Sequence, residues 1–237
     1  PRYLKASFAG GMALHGAVAD RWRAMTGTEI VEGYGLTETS PVATGNPIGA
    51  ARVGSIGIPM PSTDVKLLDD AGAEVAQGSP GEFAIRGPQV MAGYWNRPDE
   101  TAAAMTADGF FRTGDIATMD ADGFFRIVDR KKDMIIVSGF NVFPNEVEDC
   151  LARHPAVQEC AVIGVPDGES GELVRAYVVS GDDSVTEADL RAHCKALLTA
   201  YKVPRQVVFR DELPKSNVGK ILRRDLRAEA LAQTKGE

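Results

Sequence analysis

Phe124-Phe125-Arg126-Ile127-Val128-Asp129-Arg130-Lys131-Lys132-Asp133-Met134-Ile135-Ile136-Val137 decides how this chain is organised. Two apolar runs with strand character, Phe124–Val128 and Met134–Val137, flank five consecutive charged residues. Such a run does not belong in a core, so Asp129–Asp133 is expected to be exposed. On charge alone it is a polar turn. It also separates two different patterns. Upstream, Gly- and Pro-rich sequence is broken into short strand-like runs, Val65–Leu68 and Glu82–Ile85 among them, with turn signals at Asp70–Gly72 and Asp122–Gly123. A helix over about His15–Thr26 and a strand into a glycine loop precede this mostly β stretch. Downstream, strands and helices alternate. A helix is expected to open at Pro144 and end before Pro155, and strands are expected over Val157–Val165 and Leu173–Val179. Thr186 and Asp189 have capping spacing for a helix to about Leu198, and a last helix is expected over about Lys220–Ala232. The result is an α/β multidomain chain, with a β-rich part over residues 1–129 and a small α+β domain over 130–237.

The composition, 44% hydrophobic and 25% charged over 237 residues, is that of a globular protein with a real core. A net charge of -7 argues against nucleic acid as a partner. No apolar run approaches the ~20 residues of a membrane span. Cys150, Cys160 and Cys194 form no close pair, and His15, His154 and His193 have no metal-ligand spacing, so reduced cysteines in a cytoplasmic protein are expected. Residue 1 is not Met, so the natural N-terminus is expected to lie further upstream.

Four segments carry residue types suited to chemistry. In Gly33-Tyr34-Gly35-Leu36-Thr37-Glu38-Thr39, glycines beside an aromatic let the backbone approach a flat ligand. Thr37 offers a hydroxyl, and Glu38 a carboxylate able to hold Mg²⁺. A glycine turn before a polar loop explains the segment as well. In Gly109-Phe110-Phe111-Arg112-Thr113-Gly114-Asp115, an Asp following a glycine turn can accept from vicinal hydroxyls, as in ribose recognition; a hairpin loop is the plainer reading. In Val137-Ser138-Gly139-Phe140-Asn141, Gly139 permits close approach by backbone or a thin ligand, or simply ends a strand. In Leu213-Pro214-Lys215-Ser216-Asn217-Val218-Gly219-Lys220-Ile221, Lys220 follows a glycine at an expected helix start. The phosphate-loop pattern fails there: Pro214 stands where glycine is needed, and Ile221 where Ser or Thr is needed. A loop lysine still acts as a point charge on an anion. Eight basic residues between Lys202 and Arg227 face only three acids in sequence, which reads as a positive patch for an anionic ligand. A solvated helix face accounts equally for Arg223, Arg224 and Arg227.

Together and in this order, the four segments resemble the superfamily of acyl-adenylating enzymes, which includes acyl-CoA synthetases, peptide-synthetase adenylation domains and luciferases. The whole chain is similar to the C-terminal part of that family: the end of a large adenylating domain followed by a small mobile one. Asp108–Lys132 resembles the signature of fatty acyl-CoA ligases, and Leu213–Arg224 is similar to the corresponding run of bacterial long-chain-fatty-acid–CoA ligases. The resemblance implies attack of a carboxylate on the α-phosphate of Mg-ATP, giving acyl-AMP, and then displacement of AMP by coenzyme A. It implies that Tyr34, between Gly33 and Gly35, stacks on adenine, that Thr37 contacts phosphate, and that Glu38 serves Mg²⁺. It implies ribose binding by Asp115 with Arg130, a hinge at Lys132, and a pantetheine route along Gly139. Lys220 then bridges carboxylate and α-phosphate during adenylation only, and Gly10-Gly11 matches a segment near the nucleotide and acyl site. The family's Ser/Thr/Gly-rich phosphate loop and acyl-site segment would lie upstream, so residues 1–237 alone are expected not to catalyse ligation. An aryl- or medium-chain acyl-CoA ligase, a non-catalytic nucleotide-binding fragment, and an interaction module on the basic stretch stay open as alternatives. So do peripheral contact with the inner face of the membrane and a homodimer.

Overall fold

The computed structural model describes residues 3–11, 14, 16–217 and 219–234, so His15, the expected first residue of the first helix, lies outside them. The chain divides into two compact units, Pro1–Lys131 and Lys132–Glu237.

The first unit holds two four-stranded sheets. Strand β1 (Ser7–Ala9) runs parallel to β2 (Ile30–Gly35), and helix α1 (Gly16–Thr26) makes the crossover that a parallel pair requires. Strands β3 (Val42–Gly45) and β4 (Ile58–Pro59) complete this sheet in antiparallel fashion. The second sheet is an antiparallel meander of β5 (Asp64–Leu68), β6 (Gly81–Arg86), β7 (Phe111–Met119) and β8 (Phe125–Arg130). Helix α2 (Pro98–Ala104) precedes β7, with proline in its first turn and Asp99 and Glu100 near its positive end. Phe83, Ile85, Ala117 and Phe125 of the meander bury one core with Ala43 of the first sheet, and Tyr34 packs at its margin.

The second unit builds on a five-stranded sheet: β9 (Ile135–Val137), β10 (Phe140–Val142), β11 (Val157–Asp167), β12 (Gly171–Ser180) and β13 (Gln206–Phe209). Period-two alternation assigns its faces. Val162 of β11 packs with Val147 and Leu151 of α3 (Pro144–Leu151) and Leu190 of α4 (Glu187–Leu197). Its neighbours Ala161 and Ile163 pack with Leu226 and Ala230 of α5 (Arg223–Thr234). Thr186 caps α4: its hydroxyl accepts from Asp189 N–H (3.3 Å), and Asp189 accepts from Thr186 N–H (2.9 Å). No helix of the described residues is long and apolar enough to cross a membrane.

Several expectations need correction. Asp129 and Asp133 are only 1% and 7% exposed: Asp129 accepts from the adjacent Arg130 N–H at 2.7 Å, and Asp133 is paired with the distant Arg223 and Arg227. Gly33 and Gly35 lie in β2 rather than in a loop. A methyl group on Gly35 would sit 1.6 Å from the Pro41 carbonyl oxygen, so the close approach is to this protein's own backbone. Asp115 belongs to β7, where three residues (113–115) lie opposite Phe83 alone, a bulge rather than a hairpin turn. Ser138 and Gly139 both have positive φ and join Val137 to its partner Phe140, the geometry of a two-residue hairpin turn. That demand explains Gly139 without a ligand.

The last helix starts at Arg223, not at Lys220, because Lys215 and Ile221 pair as an antiparallel bridge. Nor is the basic stretch a bare positive patch. Lys202 pairs with Glu146, Arg205 with Asp167, Arg210 with Glu229 and Lys215 with Glu159. Arg223 pairs with Glu148, Arg224 with Asp225 and Arg227 with Asp133. Except for Asp225, these acids lie outside the stretch from Lys202 to Arg227. Arg223 and Arg227 are partly buried and are not a solvated face.

Candidate functional site

In the first unit, β2 and the β7 bulge bring Tyr34 and Asp115 together. The Tyr34 hydroxyl donates to Asp115 Oδ2 at 2.6 Å. The Tyr34 ring meets the Phe83 ring edge-on at 5.5 Å between centroids, which fixes its plane. Burial, and then the Asp115 carboxylate, push the Tyr34 phenol well above its ordinary value, so it stays a protonated donor. Thr113 shapes the bulge. Its hydroxyl donates to the Phe83 carbonyl at 2.7 Å and accepts from Asp115 N–H at 3.1 Å. Arg130, the register partner of Asp115 on β8, places Nε 3.9 Å from Asp115 Oδ1 and remains exposed. Two sheets therefore deliver an aromatic hydroxyl, a carboxylate and a guanidinium to one place.

A single helical turn, Thr37–Thr39, follows β2. Thr37 is exposed, while Thr39 is buried and donates its hydroxyl to the Pro41 carbonyl at 2.6 Å. Glu38 is held twice by a segment that carries no motif. Its carbonyl accepts from Met91 N–H at 2.8 Å, and its Oε1 accepts from the Tyr94 hydroxyl at 3.0 Å. Burial, and then this hydrogen bond, push the Tyr94 phenol up. No group of three or more His, Cys, Asp or Glu able to hold a metal ion occurs among the described residues. A Mg²⁺ that takes one protein carboxylate, with phosphate oxygens and water for the rest, fits Glu38.

Glu32, two residues before Tyr34, is a buried carboxylate that sequence reasoning missed. It accepts from Leu14 N–H (3.1 Å) and Gly54 N–H (2.7 Å), fastening the segment after Gly10-Gly11 to a distant loop. Its place in β2 would suggest a core position, but no local pattern names its partners.

Lys132, Gly139 and Lys220 belong to the second unit. Lys132 is exposed, and Gly139 borders open space. Lys220 is exposed on a small loop. Ser216 N–H donates to its carbonyl (2.8 Å), and its own N–H donates to Ser216 Oγ (3.2 Å).

Two models of one family match: "AMP-binding enzyme" over residues 1–95 and "AMP-binding enzyme C-terminal domain" over residues 146–220. The chain belongs to the AMP-binding enzyme family. Within it, the chain is 60% identical to a long-chain-fatty-acid–CoA ligase of Yersinia pestis over 227 residues, 95% of this chain and 40% of that protein. It is 44% identical to a feruloyl-CoA synthase of an Amycolatopsis species, over 94% of this chain and 46% of that protein. ATP-bound MatB of Rhodopseudomonas palustris superposes with a TM-score of 0.87 at 37% identity, over 94% of this chain and 44% of that one. The chain thus spans less than half the length of these AMP-binding relatives. Tyr34, Thr37, Glu38 and Tyr94 fall in the first family match and Lys220 in the second. Asp115, Arg130, Lys132 and Gly139 lie between the two.

Proposed function

We propose that this chain serves an AMP-forming acid–thiol ligase that converts a long-chain fatty acid, ATP and coenzyme A to acyl-CoA, AMP and pyrophosphate. The meeting of Tyr34 and Asp115, with Arg130 beside them, carries the reading. Such a corner can bind a nucleoside: the ring face offers adenine a stacking surface, and a carboxylate has lone pairs for several donors, ribose hydroxyls included. Thr37, exposed on its turn, donates to a phosphate oxygen. Glu38, oriented by Tyr94, is the protein ligand for Mg²⁺, whose charge offsets that of the phosphates.

A carboxylate is a poor acyl donor, and transfer to AMP supplies a good leaving group. The protein's part is to hold carboxylate and α-phosphate in line and to neutralise charge as it develops. Lys220, an exposed cation on a small loop, bridges the two during adenylation. Turning about Lys132 then removes it and brings in the face around Gly139, with its open space, for the pantetheine arm. The fatty-acid assignment rests on the likeness to the Yersinia pestis ligase. Likeness to feruloyl-CoA synthase supports an aryl acid as the second reading.

The test is acid-dependent ATP–pyrophosphate exchange by the full-length protein, with palmitate and with ferulate, for the wild type beside Lys220→Ala. The proposal expects palmitate-dependent exchange that Lys220→Ala lowers to a small residual rate, while preformed palmitoyl-AMP still yields palmitoyl-CoA. Exchange with ferulate alone would move the assignment to aryl acids. Exchange unchanged by the substitution would remove Lys220 from the mechanism.

A further inference from the structure

We propose that Arg223 is a positioning residue for Lys220, acting through a clamp made with Glu148, Asn145 and Asp133. The inference rests on the adenylation role proposed for Lys220.

Lys220 lies three residues before Arg223, the first residue of α5. The apolar contacts of α5, through Leu226 and Ala230, face one side of the sheet, and Ile221, beside Lys220, packs against the same cluster. Helix α3 packs in the separate cluster on the other side. Apolar burial is non-directional, so it does not by itself set how that turn is aimed. Arg223 does. Its Nε and Nη2 donate to Glu148 Oε1 and Oε2 at 3.0 and 2.6 Å, a bidentate fork, and Nη2 also donates to Asn145 Oδ1 at 2.7 Å. Glu148 Oε1 in turn accepts from Val162 N–H at 2.7 Å, so the fork is anchored to the sheet.

Asp133, the residue after Lys132, joins from its buried position. Its oxygens lie 3.9 Å from Arg223 Nη1 and 3.4 Å from Arg227 Nη2. The other end of the Lys220 loop is held by Lys215 on Glu159 at 2.6 Å, an exposed pair of the kind that contributes little. The Lys215–Ile221 bridge and the Ser216–Lys220 hydrogen bonds fix the shape of the loop itself, and Arg223 fixes how that loop is oriented on α3 and the sheet. Buried ion pairs often add little net stability against apolar replacements, whereas a planar fork fixes orientation. The clamp also ties the Lys220 loop to the backbone beside Lys132, so rotation there carries the lysine as part of one body.

Arg223→Lys keeps the charge and removes the fork. It is measured in the full-length protein, alone and in a Lys220→Ala background. The readouts are ATP–pyrophosphate exchange, acyl-CoA formation from preformed acyl-AMP, and the thermal midpoint. Exchange is expected to fall by roughly ten- to a hundredfold, the scale of an ångström-sized misplacement, with thioester formation unchanged. In the Lys220→Ala background the same substitution is expected to cause no further loss of exchange, because the residue through which it acts is gone. Asn145→Ala, which removes a single contact, is expected to give a smaller loss in the same half-reaction. Equal losses in both half-reactions, or a loss that multiplies with that of Lys220→Ala, would overturn the proposal and make the clamp merely structural. If Lys220→Ala by itself leaves exchange intact, the adenylation reading fails first and this inference with it. That outcome is recognisable because it appears with Arg223 untouched.

Discussion

Tyr34→Phe isolates the contact on which the nucleotide corner depends. The ring remains, and with it the edge-on packing against Phe83. What is lost is the 2.6 Å hydrogen bond to Asp115, whose side chain is only 14% accessible. A hydrogen bond to a charged group contributes about 1.5–3 kcal/mol. Removing the hydroxyl also removes its own desolvation cost, and Arg130 remains beside Asp115, so the expected loss lies near the low end, about 1.5 kcal/mol. Both tryptophans, Trp22 and Trp95, fall in the first unit, so urea unfolding followed by tryptophan fluorescence reports on that unit alone. Asp115→Ala and the double variant complete a cycle that extracts the pair energy. A coupling below about 0.5 kcal/mol would refute the reasoning, since the two side chains would then not depend on each other.

Gly35→Ala places a methyl group 1.6 Å from the Pro41 carbonyl oxygen and is expected to cost more than about 3 kcal/mol in the same assay. Gly33→Ala, at 3.2 Å from the Thr44 oxygen, is expected to cost less. Burial, then the charges of Glu148 and Asp149, push the Cys160 thiol up to about 12, and burial likewise pushes Cys194 up to about 12. At pH 8 only about one thiol in ten thousand is then ionised, so alkylation is expected to proceed roughly a thousandfold faster in urea; equal rates would contradict this environment. Lys66, with help from Thr106, lowers the Asp108 carboxyl from 3.8 to about 2. Its stabilising contribution is thus complete above the ordinary value and lost as pH falls through about 2. A carboxyl NMR titration should show the midpoint rising toward the ordinary value in Lys66→Ala, and an unmoved midpoint would discount the pair.

The residues that make up the candidate site could be picked out where their signals are local. The residues from Gly33 to Glu38 fall together at the end of one strand, and Asp115 directly follows Thr113 and Gly114, with which it forms the bulge. Tyr94 was not legible. It orients Glu38 from 56 residues away, and nothing in Met91–Tyr94 marks a clasp. Glu32 was silent for the same reason, since its partners Leu14 and Gly54 offer only backbone N–H groups, which every residue type but proline carries.

What the sequence by itself determined is the succession of elements. Helix α4 with its Thr186–Asp189 cap, α3 opening on Pro144, and the alternation along β11 all follow from periodicity and turn chemistry within a few residues. Tertiary structure alone decided which charges are buried and which hydroxyl meets which carboxylate. Asp133 is buried because Arg223 and Arg227 come to it from more than 89 positions away in sequence, and the basic stretch is largely neutralised by acids such as Glu146, Glu148 and Glu159 outside it. Tyr34 finds Asp115 across 81 residues. A charged or polar side chain has its environment set by neighbours in space, and only the packing of the sheets and helices chooses those neighbours.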